Sequence, residues 1–298
     1  MQMSPWSAIL ALVSDGASLS DVTKPPFEER WPRPSVLGVV NVTPDSFSDG
    51  GLFVEPAAAV EHGRSLLNDG AALVDVGGES TRPGAPPVSA DEELARIVPV
   101  LEGLAELPVS IDTSKATVAR RALELGAVLV NDVTALRGDA QMAEVVAEAD
   151  AYVCLMHMQG SPGTMQVAPH YDDVVGDVLA FLEERVAFAV ERGVPEERIC
   201  LDPGIGFGKT PDENLELLRR LGELHALGRP LLVGVSRKST LGKVLGDMGA
   251  THAGPAASVG AAVSAFDRGA TMIRAHDVKE TVDALAVAAA VERGRIRA

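Results

Sequence analysis

From Val36 onward the chain repeats one unit eight times: a short apolar run, a polar residue at or just beyond its end, then a segment of helical period. The apolar runs cover 36–40, 73–76, 109–112, 128–131, 152–156, 199–202, 231–235 and 272–275. Between them lie helix signals. Ser89 with Glu92, before the stripe Leu94, Ile97, Val98 and Leu101, has the spacing of a capping box. Thr210 with Glu213 has it too, and Pro211 takes the first helical position. Val118, Ala122 and Leu125 share a face that Gly126 closes, and Asp277 with Glu280 opens a last helix whose stripe is Val278, Val282, Leu285 and Ala289. Such alternation allows an open doubly wound sheet or a closed barrel. Eight units is the barrel number, and Asn41, Asp112, Asn131, His157, Asp202, Ser236 and His276 distribute polar groups over nearly every strand end. An open sheet would gather them at one switch point, and no Gly-x-Gly-x-x-Gly follows the first run. The expected fold is therefore α/β, a single (β/α)8 TIM barrel over residues 36–298 with an N-terminal extension, 1–35.

That extension shows no sustained period and is punctuated by Pro25, Pro26, Pro32 and Pro34. It is expected to reach the barrel floor or lie beside it, and removal of residues 1 to about 30 is expected to spare activity. A length of 298 residues suits one barrel plus such an extension. The formal net charge of -16 argues against nucleic acid or an anionic membrane as partner, so an anionic substrate must be met by a local group of cations. Cys154 and Cys200 lie inside apolar runs and read as small buried hydrophobes, not as a disulfide or metal pair. The apolar stretch 8–13 lacks a basic lead and a cleavage pattern, and is too short to span a bilayer, which needs about 20 apolar residues. A soluble, cytoplasmic enzyme is expected.

Three chemical groups converge on the expected strand ends. Asp112, Asn131 and Asp202 can accept and donate in the pattern that a flat heterocycle with an amidine-like edge requires. Arg82, Lys238, Arg274 and His276 are basic, and strand alternation puts Arg274 and His276 on the same side as an anion clamp. The third group is a pair of glycine-flanked loops, 41–51 and 77–84, which read as mobile lids; the first holds hard oxygen donors of the kind that suits Mg²⁺ shared with substrate phosphates. An aldolase using Lys238 as a Schiff base is disfavoured, because no apolar pocket that would lower its pKa is apparent.

The stretches 41–51 and 75–84, with Ser110-Ile111-Asp112-Thr113, Asn131-Asp132-Val133, His157-Met158-Gln159-Gly160, 201–209, Ser236-Arg237-Lys238-Ser239 and Arg274-Ala275-His276, resemble the dihydropteroate synthase family from about Val36 to the end. The resemblance implies a transferase that joins 4-aminobenzoate to a 6-hydroxymethyl-dihydropterin diphosphate, with Asp112, Asp202, Lys238, Arg274 and His276 in the catalytic set. It implies that Asp112, Asn131, Met156, Asp202 and Lys238 hold the pterin. Asn41, Asp45, Arg274 and His276 would hold the diphosphate, with Asn41 toward Mg²⁺. Phe47, Thr81, Arg82, Pro83, Phe207 and Ser239 would line the aminobenzoate pocket. It further implies sulfonamide sensitivity of the aminobenzoate site and a homodimer formed through helices of the outer ring.

Overall fold

A computed structural model describes residues 24–43, 56–81, 84–160, 163–166 and 169–296. The strands are β1 (Ser35–Asn41), β2 (Leu73–Gly77), β3 (Val109–Asp112), β4 (Leu129–Asp132), β5 (Tyr152–Met156), β6 (Ile199–Asp202), β7 (Leu232–Gly234) and β8 (Met272–Ala275). All pair in parallel, in the order β6-β5-β4-β3-β2-β1-β8-β7. A parallel bridge between Leu201 and Leu231 joins the two ends of that order, so the sheet closes. The outer ring described comprises α2 (Pro56–Asn68), α3 (Ala90–Gly103), α4 (Ala116–Glu124), α5 (Met142–Glu148), α6 (Val174–Glu191), α7 (Pro211–Arg219), α8 (Ser239–Val244), α9 (Pro255–Asp267) and α10 (Val278–Arg293). A short helix, α1 (Phe27–Arg30), precedes β1.

The period of two along each strand divides the core. Val36, Val40, Val74, Val76, Ile111, Val130, Val153, Leu155, Leu201, Val233 and Ile273 face outward into the apolar layer under the helices. Leu37, Leu73, Leu129, Tyr152, Cys154, Cys200, Leu232 and Met272 face inward and fill the lower barrel. Both cysteines are free and buried, as their apolar surroundings suggest.

The end of the extension closes this lower layer. Phe27 and Trp31 are 1% and 4% exposed, and their rings meet Tyr152 edge-on with centroids 6.1 and 4.8 Å away. The Tyr152 hydroxyl donates to the Pro25 carbonyl at 2.6 Å, and Arg33 donates to the Phe266 carbonyl at 2.7 Å. A cut near residue 30 would therefore remove Phe27 and with it part of the barrel floor, a cost to stability that is separate from the expectation that activity is spared. Trp31→Ala should cost about 3–5 kcal/mol, the usual cost of deleting a large buried ring. Chemical denaturation of this variant checks it; an unchanged midpoint would show that the plug contributes nothing.

Two helix starts differ from the sequence reading. Thr210 and Glu213 form both halves of a capping box, but at Ser89 only the serine half forms, because the Glu92 carboxylate turns to Arg96. Asp277 makes no side-chain cap on α10; its carboxylate instead accepts from the Arg237 guanidinium, at 2.6 Å from Nη2, a bond in which both partners are charged. Among the described residues no helix is long and apolar enough to cross a membrane.

Candidate active site

The strand alternation that points Leu129 and Tyr152 inward at the floor brings Asn131 and Met156 inward at the rim. Asp112, Asn131, Met156 and Asp202, on four adjacent strands, are all under 10% exposed, and the pairings Asp112 with Asn131 and Met156 with Asp202 hold them side by side. Arg274 reaches them from β8. Its Nη2 donates to Asp112 Oδ2 at 2.8 Å and its Nε to Asp75 Oδ2 at 2.7 Å. The Asn131 amide also donates to Asp75 Oδ2, at 2.9 Å.

Asp75 is thus the hub of the site, fully buried, and sequence reasoning gave it no role. The signal was present: a lone carboxylate in the otherwise apolar run Leu73–Gly77, on the same inward phase as Leu73. It was passed over because it does not end its strand. Its Oδ1, and Ser110 Oγ on the neighbouring strand, are buried without a hydrogen-bond partner among the described residues, which is costly unless a ligand supplies donors.

Burial sets the protonation states. It pushes the Asp112 carboxyl up to about 7, with Arg274 opposing the rise and the Asp75 charge adding to it. Asp202 is likewise raised by burial, against the Gly204 N–H that donates to its Oδ1 at 2.7 Å and the nearby charges of Lys238 and Lys209. Lys238, at the start of α8, is pushed down to about 8 by burial, and its ammonium lies 4.2 Å from the centre of the Phe207 ring. Burial thus does lower this lysine's pKa, which corrects the expectation that no apolar surroundings would do so.

The anion clamp also changes in detail. Two of the three Arg274 nitrogens are committed to Asp75 and Asp112, so the guanidinium is first a counter-ion and presents Nη1 to any incoming anion. His276 is not cationic: burial, then the charges of Arg274 and Arg237, push it down to about 3. The Ser236 hydroxyl accepts the His276 backbone N–H at 3.2 Å and lies 3.0 Å from Nδ1. With the hydroxyl proton on that bond, Nε2 carries the ring proton and can donate as a neutral imidazole.

Around this centre, Asn41 ends β1 beside Gly77, Thr81 follows β2 partly exposed, and Ser239 opens α8 half-buried. Phe207 packs on an apolar patch of Val133, Met156, Met158 and Met165. Asp45, Phe47, Arg82 and Pro83 lie outside the described residues, and so does most of what was read as lids. The root of the second loop is fixed by Lys115, whose Nζ donates to Glu79 and to the fully buried Glu93, both at 2.6 Å. Lys209, 2% exposed and bonded to His157, is a further residue that received no role from the sequence.

Inward carboxylates and an amide on adjacent strands, faced by cations at the C-terminal mouth of a parallel barrel, define an enzyme site for a polar heterocycle that carries an anionic group. The family described as "Pterin binding enzyme" matches residues 37–276. Dihydropteroate synthase of Escherichia coli K12 is 48% identical over 262 residues, covering 86% of this chain and 90% of that protein. Among solved structures, Xanthomonas albilineans dihydropteroate synthase with 4-aminobenzoic acid superposes with a TM-score of 0.81 at 48% identity, covering 88% of this chain and 94% of that one. A Yersinia pestis dihydropteroate synthase in a sulfonamide complex gives 0.81 at 46% identity, with 88% and 95% covered. The chain belongs to the dihydropteroate synthase family of pterin-binding enzymes.

Proposed function

We propose that this chain condenses 6-hydroxymethyl-7,8-dihydropterin diphosphate with 4-aminobenzoate, giving 7,8-dihydropteroate and diphosphate on the route to folate. The observation that carries this is the set Asp112, Asn131 and Asp202 at the ends of β3, β4 and β6 with Lys238 and Arg274 beside them. The pterin's amidine-like edge supplies donors to the carboxylates, and its carbonyl side accepts from Lys238, with Met156 against the ring.

In the reaction the bond between the pterin methylene and a diphosphate oxygen breaks, and its electron pair leaves with the oxygen. The aniline nitrogen forms the new C–N bond and passes one proton to water or to the departing diphosphate. Asp112 and Asp202 lie where positive charge shared from the methylene into the ring would be stabilised, while Arg274 Nη1 and His276 Nε2–H meet the leaving diphosphate. No protein nucleophile is needed. The amine is neutral at pH 7 and requires orientation, which Phe207, Thr81 and Ser239 would provide, together with Phe47, Arg82 and Pro83.

Among the described residues no three acidic, histidine or cysteine side chains converge on one point, and the oxygen donor at the end of β1 is the Asn41 amide. That set fits a hydrated Mg²⁺ that arrives with the diphosphate and is held mainly by phosphate oxygens and water, with Asn41 and Asp45 on its protein side. An ion held there by Asn41 and Asp45 would supply positive charge to the departing diphosphate.

Diphosphate release should require both substrates and Mg²⁺, and sulfonamides should compete with aminobenzoate. Steady-state kinetics decide this: release from the pterin diphosphate alone would overturn the reading, and inhibition competitive with the pterin would overturn the assignment of the second pocket. A homodimer in the cytoplasm is part of the same proposal. Val287 and Val291, one turn apart on α10 and 66% and 75% exposed, offer an apolar stripe of the outer ring to a second copy.

A further inference from the structure

The loop after β6 is held in a way that the reaction chemistry alone does not require. Gly204, Gly206 and Gly208 all take positive φ, at 70°, 86° and 61°. A Cβ on Gly204 would lie 1.9 Å from the His157 carbonyl oxygen and one on Gly208 2.6 Å from the Gln159 carbonyl, so the β5 and β6 loops touch backbone to backbone. Such an approach leaves several carbonyls to be satisfied. Gln166 donates to Gly206 O at 3.2 Å and the Tyr171 hydroxyl to Gly208 O at 2.7 Å. Lys209 meets the others. Its Nζ donates to Gly204 O at 3.0 Å, to Phe207 O at 3.0 Å and to His157 Nδ1 at 2.9 Å. Three acceptors match the three donors of the ammonium form, which burial disfavours by pushing this lysine down to about 7 while Asp202 opposes the fall, and a nitrogen that accepts requires His157 to be neutral. Burial does push His157 down to about 2, with the charge of Lys209 second.

The two ends of this loop serve different substrates in the reaction proposed above. Its start is tied to Asp202, through the Gly204 N–H at 2.7 Å, and its far side carries Phe207, whose ring lies under the Lys238 ammonium. Asp202 sits on a strand and is held by the sheet. Phe207 lies on no strand: its ring rests on Val133, Met156, Met158 and Met165, and the loop backbone beneath it is gathered by Lys209, which takes both the Phe207 and Gly204 carbonyls, with the Gly206 N–H donating to Asn214.

We propose that Lys209 is a positioning residue for the amine substrate: it gathers the loop onto His157 and so sets the Phe207 ring against which the aromatic amine lies. This rests on the condensation proposed above. Lysine at this place acts through Phe207 and touches neither substrate.

The test uses the full chain and Lys209→Met, which keeps most of the side-chain length and removes all three donors. The KM for 4-aminobenzoate should rise about tenfold, as expected for loss of hydrogen bonds to a charged group, while the KM for the pterin diphosphate changes less than about threefold. In a Phe207→Leu background the same substitution should add little, because its effect runs through that ring. Equal rises in both KM values, or full additivity with Phe207→Leu, would overturn the proposal. Should Lys209→Met fail to fold, Tyr171→Phe, which loosens the same loop at Gly208, and Lys209→Gln, which retains two donors, should each raise the aminobenzoate KM above wild type by less than about tenfold and leave the pterin KM within about threefold; an unchanged aminobenzoate KM in both refutes the proposal. A wild-type chain that forms no dihydropteroate would instead refute the function, not the loop's role.

Discussion

Asp202→Asn should lower kcat/KM for the condensation by about 10²–10³-fold, the usual loss when one preorganised electrostatic partner of a transition state is removed. The same substitution should leave the melting temperature of the free enzyme unchanged or slightly raised. The reason lies in what Asp202 does without substrate. It accepts one hydrogen bond, from the Gly204 N–H at 2.7 Å, and an amide oxygen can accept that bond equally well. Its charge, by contrast, is opposed by burial, which raises its pKa. An asparagine keeps the bond and loses the desolvation penalty. In the transition state the balance reverses, because positive charge spreading over the pterin needs an ionised partner. Paired measurements of turnover and thermal unfolding check this. A variant of normal activity would remove Asp202 from the chemistry, and a variant that unfolds early would make it a structural residue.

Much of this site could be read from the chain because a barrel puts its chemistry where strands end, and strand ends are marked in sequence by the first polar residue after an apolar run. Asp112, Met156 and Asp202 stand at those ends, and Asn131 one residue before the end of β4. What escaped was tertiary. Asp75 sits in mid-strand, and only the approach of Arg274 from a distant strand gives it a function. The neutrality of His276 depends on burial and on two arginines, one of which, Arg237, comes from the loop after β7 and meets it only in the folded barrel. Phe27 and Trp31 look like strays in a proline-rich extension until Tyr152 meets them across the floor. Lys209 closes a glycine-rich stretch that invites a reading as a flexible connector, whereas here the glycines permit close backbone contact and the lysine satisfies it. Periodicity reports which face a residue occupies; it does not report which charge arrives from the other side of the barrel.

Arg274 and His276 share the task of meeting the diphosphate, yet removing them should have different consequences for the fold. Arg274→Ala leaves the Asp75 and Asp112 carboxylates buried together without their counter-ion, and should cost about 3–5 kcal/mol at pH 8, as expected for breaking a buried pair from one side. His276→Ala loses one hydrogen bond to Ser236 and should cost about 1 kcal/mol at that pH. Their pH dependences should also differ in sign. Asp112 has a folded pKa near 7, above its ordinary value of 3.8, so the folded state binds the extra proton and stability falls as pH rises through that window. Without Arg274 the carboxyl is raised further, so the deficit of Arg274→Ala should shrink on acidification from pH 8 to pH 5 and grow again on return. His276 has a folded pKa near 3, below its ordinary 6.5, so the unfolded state binds the extra proton and stability is lost as pH falls from 6.5 toward 3. His276→Ala removes that loss and should be relatively more stable in acid. Urea titrations at pH 5 and pH 8, with diphosphate affinity measured by calorimetry in Mg²⁺ buffer, separate the two roles. Both variants should bind diphosphate more weakly, but only Arg274→Ala should recover stability when Asp75→Asn and Asp112→Asn are added, since the triple variant buries no unpaired charge. Equal stability losses at pH 8, with no recovery in the triple variant, would mean that Arg274 is an anion site alone and that its contacts with Asp75 and Asp112 carry no weight in the fold.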